Sequence, residues 1–171
     1  MLPTVKTILY CTQMGPNAPY VFRWAYALAK CCDARIHVLY VIEGLTPRQR
    51  AMVEGYSGHS TLSQVIEQAE AEAAERLPHR LEAFFESEAP DEDWRSHIGE
   101  LMVARGKALE QILEHVESTG ADLVVVGAHS SVSMVETIIG STAQRLTEKC
   151  RVPVLVVRVP EGQRALTITD G

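Results

Sequence analysis

The chain carries no surplus of basic residues, no long apolar run, no paired-cysteine motif and no common nucleotide-binding glycine signature. Each absence closes a class of function. Acidic residues outnumber basic ones 22 to 16, for a formal charge of −6. Nucleic acids and anionic membranes reward a basic face, and no Lys/Arg run supplies one locally. No stretch reaches the roughly 18 apolar residues that a membrane helix needs. The opening, Met1 to Tyr10, lacks the basic region and long apolar block of a secretory leader. The expectation is a cytoplasmic protein with neither nucleic acid nor an inserted membrane as partner. Cys11, Cys31, Cys32 and Cys150 form no C-x-x-C pair and show no metal-ligand spacing, so they read as small apolar packing residues. No G-x-x-x-x-G-K-[ST] loop occurs, and the dinucleotide glycine fingerprint is missing after the first strand.

What is present is a core. Of 171 residues, 46% are hydrophobic, enough for burial to offset chain entropy in one domain. Five short apolar runs alternate with four helix-like stretches. The runs are Thr7 to Thr12, Ile36 to Ile42, the weaker Ile98 to Ala104, Leu123 to Val126 ended by Gly127, and Val152 to Val159. Continuous β-branched runs suit strands buried on both faces, as in parallel sheets. The first helix shows Tyr20, Val21, Trp24, Ala25, Leu28, Cys31 and Cys32 near a 3.6 period. The second runs from Ser60 to Glu88 and contains Pro78, which is expected to kink or split it. The third places Leu109, Ile112, Leu113 and Val116 on one face, with Gly120 as its C-cap. The fourth opens near Gly140 and stops before Pro153. Gly44 to Gly58 and Glu88 to Asp93 read as exposed loops. The pattern predicts a doubly wound α/β domain over residues 1–160, followed by a C-terminal tail at 161–171.

In such a sheet, ligands bind beyond the carboxyl ends of the strands, where strand order reverses. Those ends are Thr12-Gln13-Met14, Val41-Ile42 and the segment from Gly127. After Gly127 comes a polar loop with His129, Ser130 and Ser131, and then Gly140-Ser141-Thr142 opens a helix. The unbonded N–H groups of a helix start, together with its dipole, favour an anion. Gly140 lets a phosphate approach the backbone, and the Ser141 and Thr142 hydroxyls can donate to it. A plainer account also stands, and the residues alone lean to it: Ser141 N-caps the helix and Gly140 turns the chain. His129 could contact phosphate or act as a base, but no carboxylate is placed by sequence to orient it. The run Glu67 to Glu75 fits a solvated helix face better than a paired-carboxylate site.

These residues resemble the universal stress protein family. Its nucleotide-binding members carry G-x-x-G-x9-G-[ST], and the same spacing here gives Gly127-x-x-Ser130-x9-Gly140-Ser141. The opening I-L-Y-C-T-Q, the stretch Gly120-Ala-Asp-Leu-Val-Val-Val-Gly127 and the final Arg151-Val-Pro-Val-Leu-Val-Val also match in order. The resemblance implies a five-stranded, adenine-nucleotide alpha-hydrolase-like sheet in the order 3-2-1-4-5, with the weak third strand at an edge. It implies a homodimer through the last strand, using Val154, Leu155, Val156 and Val157, and an unidentified protein partner. It implies ATP or AMP with phosphates on Gly127, Ser130, Gly140, Ser141 and Thr142, and the base near Thr12, Gln13 and Val41; His129 lies beside this site. Two positions depart from the pattern. Ser130 replaces a glycine, and Gln13 stands where the family usually has aspartate, keeping hydrogen bonding but losing charge. A phosphate-type loop without catalytic machinery points to a stress-response regulator rather than an enzyme. A slow ATP-hydrolysing enzyme, or a scaffolding dimer that no longer binds nucleotide, are the competing readings.

Overall fold

Five strands form one all-parallel sheet: β1 (Thr7–Thr12), β2 (Arg35–Ile42), β3 (Ile98–Arg105), β4 (Leu123–Gly127) and β5 (Val154–Val157). Their spatial order is β3-β2-β1-β4-β5, the order expected of a doubly wound sheet. The computed structural model describes residues 2–44, 48, 51–52, 55, 62–128 and 139–160. Most of the segment 44–58 expected to be a loop lies outside these residues, as does the tail 161–171, and the described residues Arg48, Ala51, Met52 and Gly55 within it are helical rather than loop. The central strand explains the rest. Ile8, Leu9 and Tyr10 are buried on both faces of β1, so β1 needs a partner strand on each edge and a helix layer on each side.

Helices α1 (Ala18–Cys32) and α2 (Leu62–Glu88) supply one layer, over Ile8, Tyr10, Ile36, Val38 and Val125. Helices α3 (Ala108–Thr119) and α4 (Ser141–Lys149) supply the other, over Leu9, Leu39, Val124 and Val126. Strand alternation assigns each side chain to its layer. Two residues in the left-handed region stop helices: Gly120 after α3, as the sequence suggests, and Asp33 after α1. The amino ends of β1 and β4 are joined by Asp122. Its Oδ2 accepts the backbone N–H groups of Lys6 (2.8 Å) and Thr7 (2.9 Å), and its own N–H donates to the Thr7 carbonyl at 2.8 Å.

Several expectations need correction. The buried stripe of α1 is Val21, Phe22, Ala25, Tyr26 and Ala29, rotated away from the predicted face. Trp24 is 49% exposed and Cys31 is exposed, so neither is a core packing residue. The cause is α2, whose Phe84 and Phe85 meet Phe22 edge-on at 4.9 and 5.7 Å between ring centres. Pro78 does not split α2, which is continuous from Leu62 to Glu88. The carbonyl it orphans belongs to the exposed Ala74, where water can bond it, and buried Ala73, Leu77 and Leu81 hold both halves on the sheet. The last strand is shorter than Val152 to Val159, because its pairing ends where β4 does, at Gly127 opposite Val157.

The segment after α2 folds back over α1. Trp94 stacks on Phe85 at 4.3 Å, with the rings 3° from parallel. Glu92 accepts from the Lys30 ammonium and the Tyr26 hydroxyl, both at 2.6 Å, and these two donors hold its carboxyl below the ordinary range. Phe85 is fully buried and touches four aromatic rings: Phe22, Tyr26, Phe84 and Trp94. Phe85→Ala is expected to cost about 3–5 kcal/mol, measured as a lower urea midpoint. An unchanged midpoint would show that the cluster does not anchor α2.

Candidate functional site

Strand β1 connects to β2 on one side, while β4 and β5 lie on the other, so the order reverses at the carboxyl end of β1. A crevice of about 380 Å³ opens there. Its apolar wall is built from Cys11, Leu39, Val41, Ile112 and Val126. Burial pushes the Cys11 thiol well above its ordinary range, so it stays protonated and behaves as an apolar lining group. Among the described residues no group of three or more His, Cys, Asp and Glu side chains is placed to hold a metal.

Three helix starts converge on this space. Asn17 and Ala18 bring the start of α1, Ala108 that of α3, and Thr142 and Ala143 that of α4. Parallel strands force this, because each following helix runs back antiparallel and begins at the carboxyl edge. Each start brings the positive end of a helix dipole; the Ala18 N–H is taken by the Gly15 carbonyl and the Ala108 N–H by the Glu43 carboxylate, so the open donors lie at α4. At α4, the first intrahelical bond runs from the Gln144 N–H to the Gly140 carbonyl, at 3.0 Å. The N–H groups of Ser141, Thr142 and Ala143 find no backbone acceptor among the described residues. The crevice is therefore suited to an anion at one end and a flat apolar group along its wall, although the chain as a whole is acidic.

Of the residues singled out from sequence, Thr12, Gln13, Val41, Gly127 and Thr142 all line the crevice. Gly140 and Ser141 stand at the start of α4 beside it. Gly140 is itself the N-cap, so Ser141 is the first helical residue and does not cap the helix. His129 and Ser130 lie outside the described residues. Gly140 has an ordinary extended backbone (φ −57°, ψ 149°). Its requirement is space: its N–H donates to the Ala128 carbonyl at 2.7 Å, and an added Cβ would lie 3.1 Å from that same oxygen. This contact pins the start of α4 to the end of β4.

The sequence pattern does not reveal Glu43, Asn17 or Ala108, which also line the crevice. Nothing local marks a residue just past β2, or the first residue of α3, as facing β1. The turn at Met14 is equally silent in sequence. Met14 has a positive φ, which is rare for a side chain of that size. There the Met14 N–H donates to the Thr12 hydroxyl at 3.0 Å. The turn puts Gln13 in the crevice while Met14 packs against the core on the other face.

An open, doubly wound parallel sheet with its crevice at the strand-order reversal defines a Rossmann-like α/β protein. The family model for the universal stress protein family matches residues 4–158, and the chain belongs to that family. It is similar to universal stress protein MJ0577 of Methanocaldococcus jannaschii, 25% identical over 154 residues, covering 90% of this chain and 94% of that one. Among solved structures, universal stress protein UspA from Lactobacillus plantarum superposes with a TM-score of 0.67 at 20% identity, over 92% of this chain and 100% of that one. A universal stress protein solved in complex with cAMP superposes with a TM-score of 0.57 at 17% identity, over 91% of this chain and 98% of that one. These likenesses show the fold: a five-stranded parallel sheet in the order 3-2-1-4-5.

Gly140→Ala is expected to lower stability by about 1–2 kcal/mol through crowding of the Ala128 carbonyl, read as a lower Tm. An unchanged Tm would mean that the end of β4 moves aside at no cost.

Proposed function

We propose that this protein is a non-catalytic, dimeric stress-response regulator of the cytoplasm that binds an adenine nucleotide, ATP or AMP, and acts through protein partners. The observation that carries the nucleotide reading is the convergence of three helix starts on one crevice with an apolar wall. The phosphates rest on the start of α4, at Gly127, Gly140, Ser141 and Thr142. The base lies along the apolar wall near Thr12, Gln13 and Val41. The neighbour of the same fold solved with cAMP supports an adenine nucleotide as ligand. Gln13 donates and accepts where a carboxylate would only accept, so affinity is moderate and occupancy can follow nucleotide level. No helix among the described residues is long and apolar enough to cross a membrane.

The dimer reading rests on β5. It is an edge strand in the sheet order, so one row of its backbone groups has no strand partner among the described residues. Val154, Leu155 and Val156 are only half-buried there, while Val157 is buried. Pairing with a second β5 covers both the backbone edge and the apolar side chains.

Equilibrium binding of radiolabelled ATP and AMP tests the site. Saturable binding in the micromolar range is expected, weakened roughly tenfold or more in Gly140→Asp relative to Gly140→Ala, which crowds the Ala128 carbonyl equally but adds no charge beside the phosphates. Binding untouched by that change overturns the site, and no binding leaves a scaffolding dimer. Phosphate release from ATP is expected at the buffer rate; turnover that copurifies with the protein would make it an enzyme. Sedimentation at tens of micromolar is expected to show a dimer, and Leu155→Asp to shift it to monomer. A wild-type monomer overturns the β5 assignment.

A further inference from the structure

Resting on the nucleotide reading, we propose that Glu43 is a specificity-determining residue: it accepts hydrogen bonds from the nucleoside end of the ligand and fixes its orientation. Glu43 is the one charged side chain among the described residues that line the crevice. It follows β2 immediately and stands beside the end of β1, where Thr12 pairs with Tyr40. Glu43 and Gln13 therefore enter from adjacent strand ends. The carboxylate is already held in place. Its Oε1 accepts the N–H of Ala108, the first residue of α3, at 3.3 Å, and the positive end of that helix favours its charge. Its Oε2 receives no hydrogen bond among the described residues.

The wall order gives Oε2 its role. Phosphate belongs at α4, on Thr142 and Ala143, whereas Glu43 and Ala108 stand on the α3 wall. A nucleotide anchored by its phosphate carries its nucleoside toward that second wall. An ionised carboxylate can only accept. It rewards an N–H or O–H donor, either the exocyclic amine of the base or the sugar hydroxyls. It gives a carbonyl in the same place nothing to bond, because two acceptors then face each other. It also repels phosphate, so the reversed pose is disfavoured.

Calorimetric titration of three probes into wild type, Glu43→Ala and Glu43→Gln tests this. The probes are AMP, purine riboside monophosphate (which lacks the amine) and 2′,3′-dideoxy-AMP (which lacks the hydroxyls). In wild type, one deletion is expected to weaken binding roughly tenfold or more, and which one identifies the donor. In Glu43→Ala that penalty should fall below about twofold, and in Glu43→Gln it should be intermediate. Thermal melts guard against loss of the α3 cap, and Glu43→Gln keeps an acceptor for Ala108 if the alanine variant is unstable. Penalties equal in wild type and both variants, or no penalty for either deletion, overturn the proposal and leave Glu43 as a cap alone. AMP failing to bind wild type overturns the nucleotide reading itself, a result distinct from AMP that binds with Glu43 silent.

Discussion

Everything in this molecule hangs on the pairing of β1 with two parallel neighbours. Thr7 to Thr12 pairs with Arg35 to Tyr40 on one edge, and Ile8 to Cys11 with Leu123 to Val126 on the other. Because both pairings are parallel, every connection must cross back over the sheet, and every crossing helix must start at the same edge. The crevice is a consequence of that rule. The chain turns one way after β1 and returns on the other side before β4, which leaves a gap over the end of β1 with helix starts around it.

The two helix layers have unequal tasks. The layer of α1 and α2 is held by aromatic packing: Phe22, Tyr26, Phe84, Phe85 and Trp94 form one cluster, closed on its outside by Glu92 bridging Tyr26 and Lys30. The layer of α3 and α4 is built from smaller side chains such as Ile112, Val116, Ala143 and Leu146. Its helix ends stay near the strand ends, at Ala108 held by Glu43 and at Gly140 held by Ala128. Aromatic packing gathers on one face, and the crevice opens at the carboxyl edge of the strands.

How legible the site was depended on sequence distance. Thr12, Gln13 and Gly127 could be found because each directly ends an apolar run, and a run's end can be read locally. Gly140-Ser141-Thr142 could be found because a helix starts there. Glu43 could not be found: even with β2 expected beside β1, an acidic residue just past Ile42 looks like any solvated charge until its carboxylate is seen on the Ala108 N–H at the start of α3. The face of α1 failed for the same reason. Its sequence carries two apolar stripes, and only the position of Phe84 and Phe85, near the far end of α2, decides which one is buried.

The sequence alone determined the elements, their parallel character and the family, because these follow from local periodicity, turn residues and the spacing Gly127, Ser130, Gly140, Ser141. Tertiary structure alone decided which helix face packs, how far β5 extends, how close residue 140 lies to the Ala128 carbonyl, and which charge faces the crevice. Those answers depend on groups far apart in the chain meeting within a few ångströms. Local sequence sets conformational preference, but contact energy belongs to the neighbour, and only the folded chain names the neighbour.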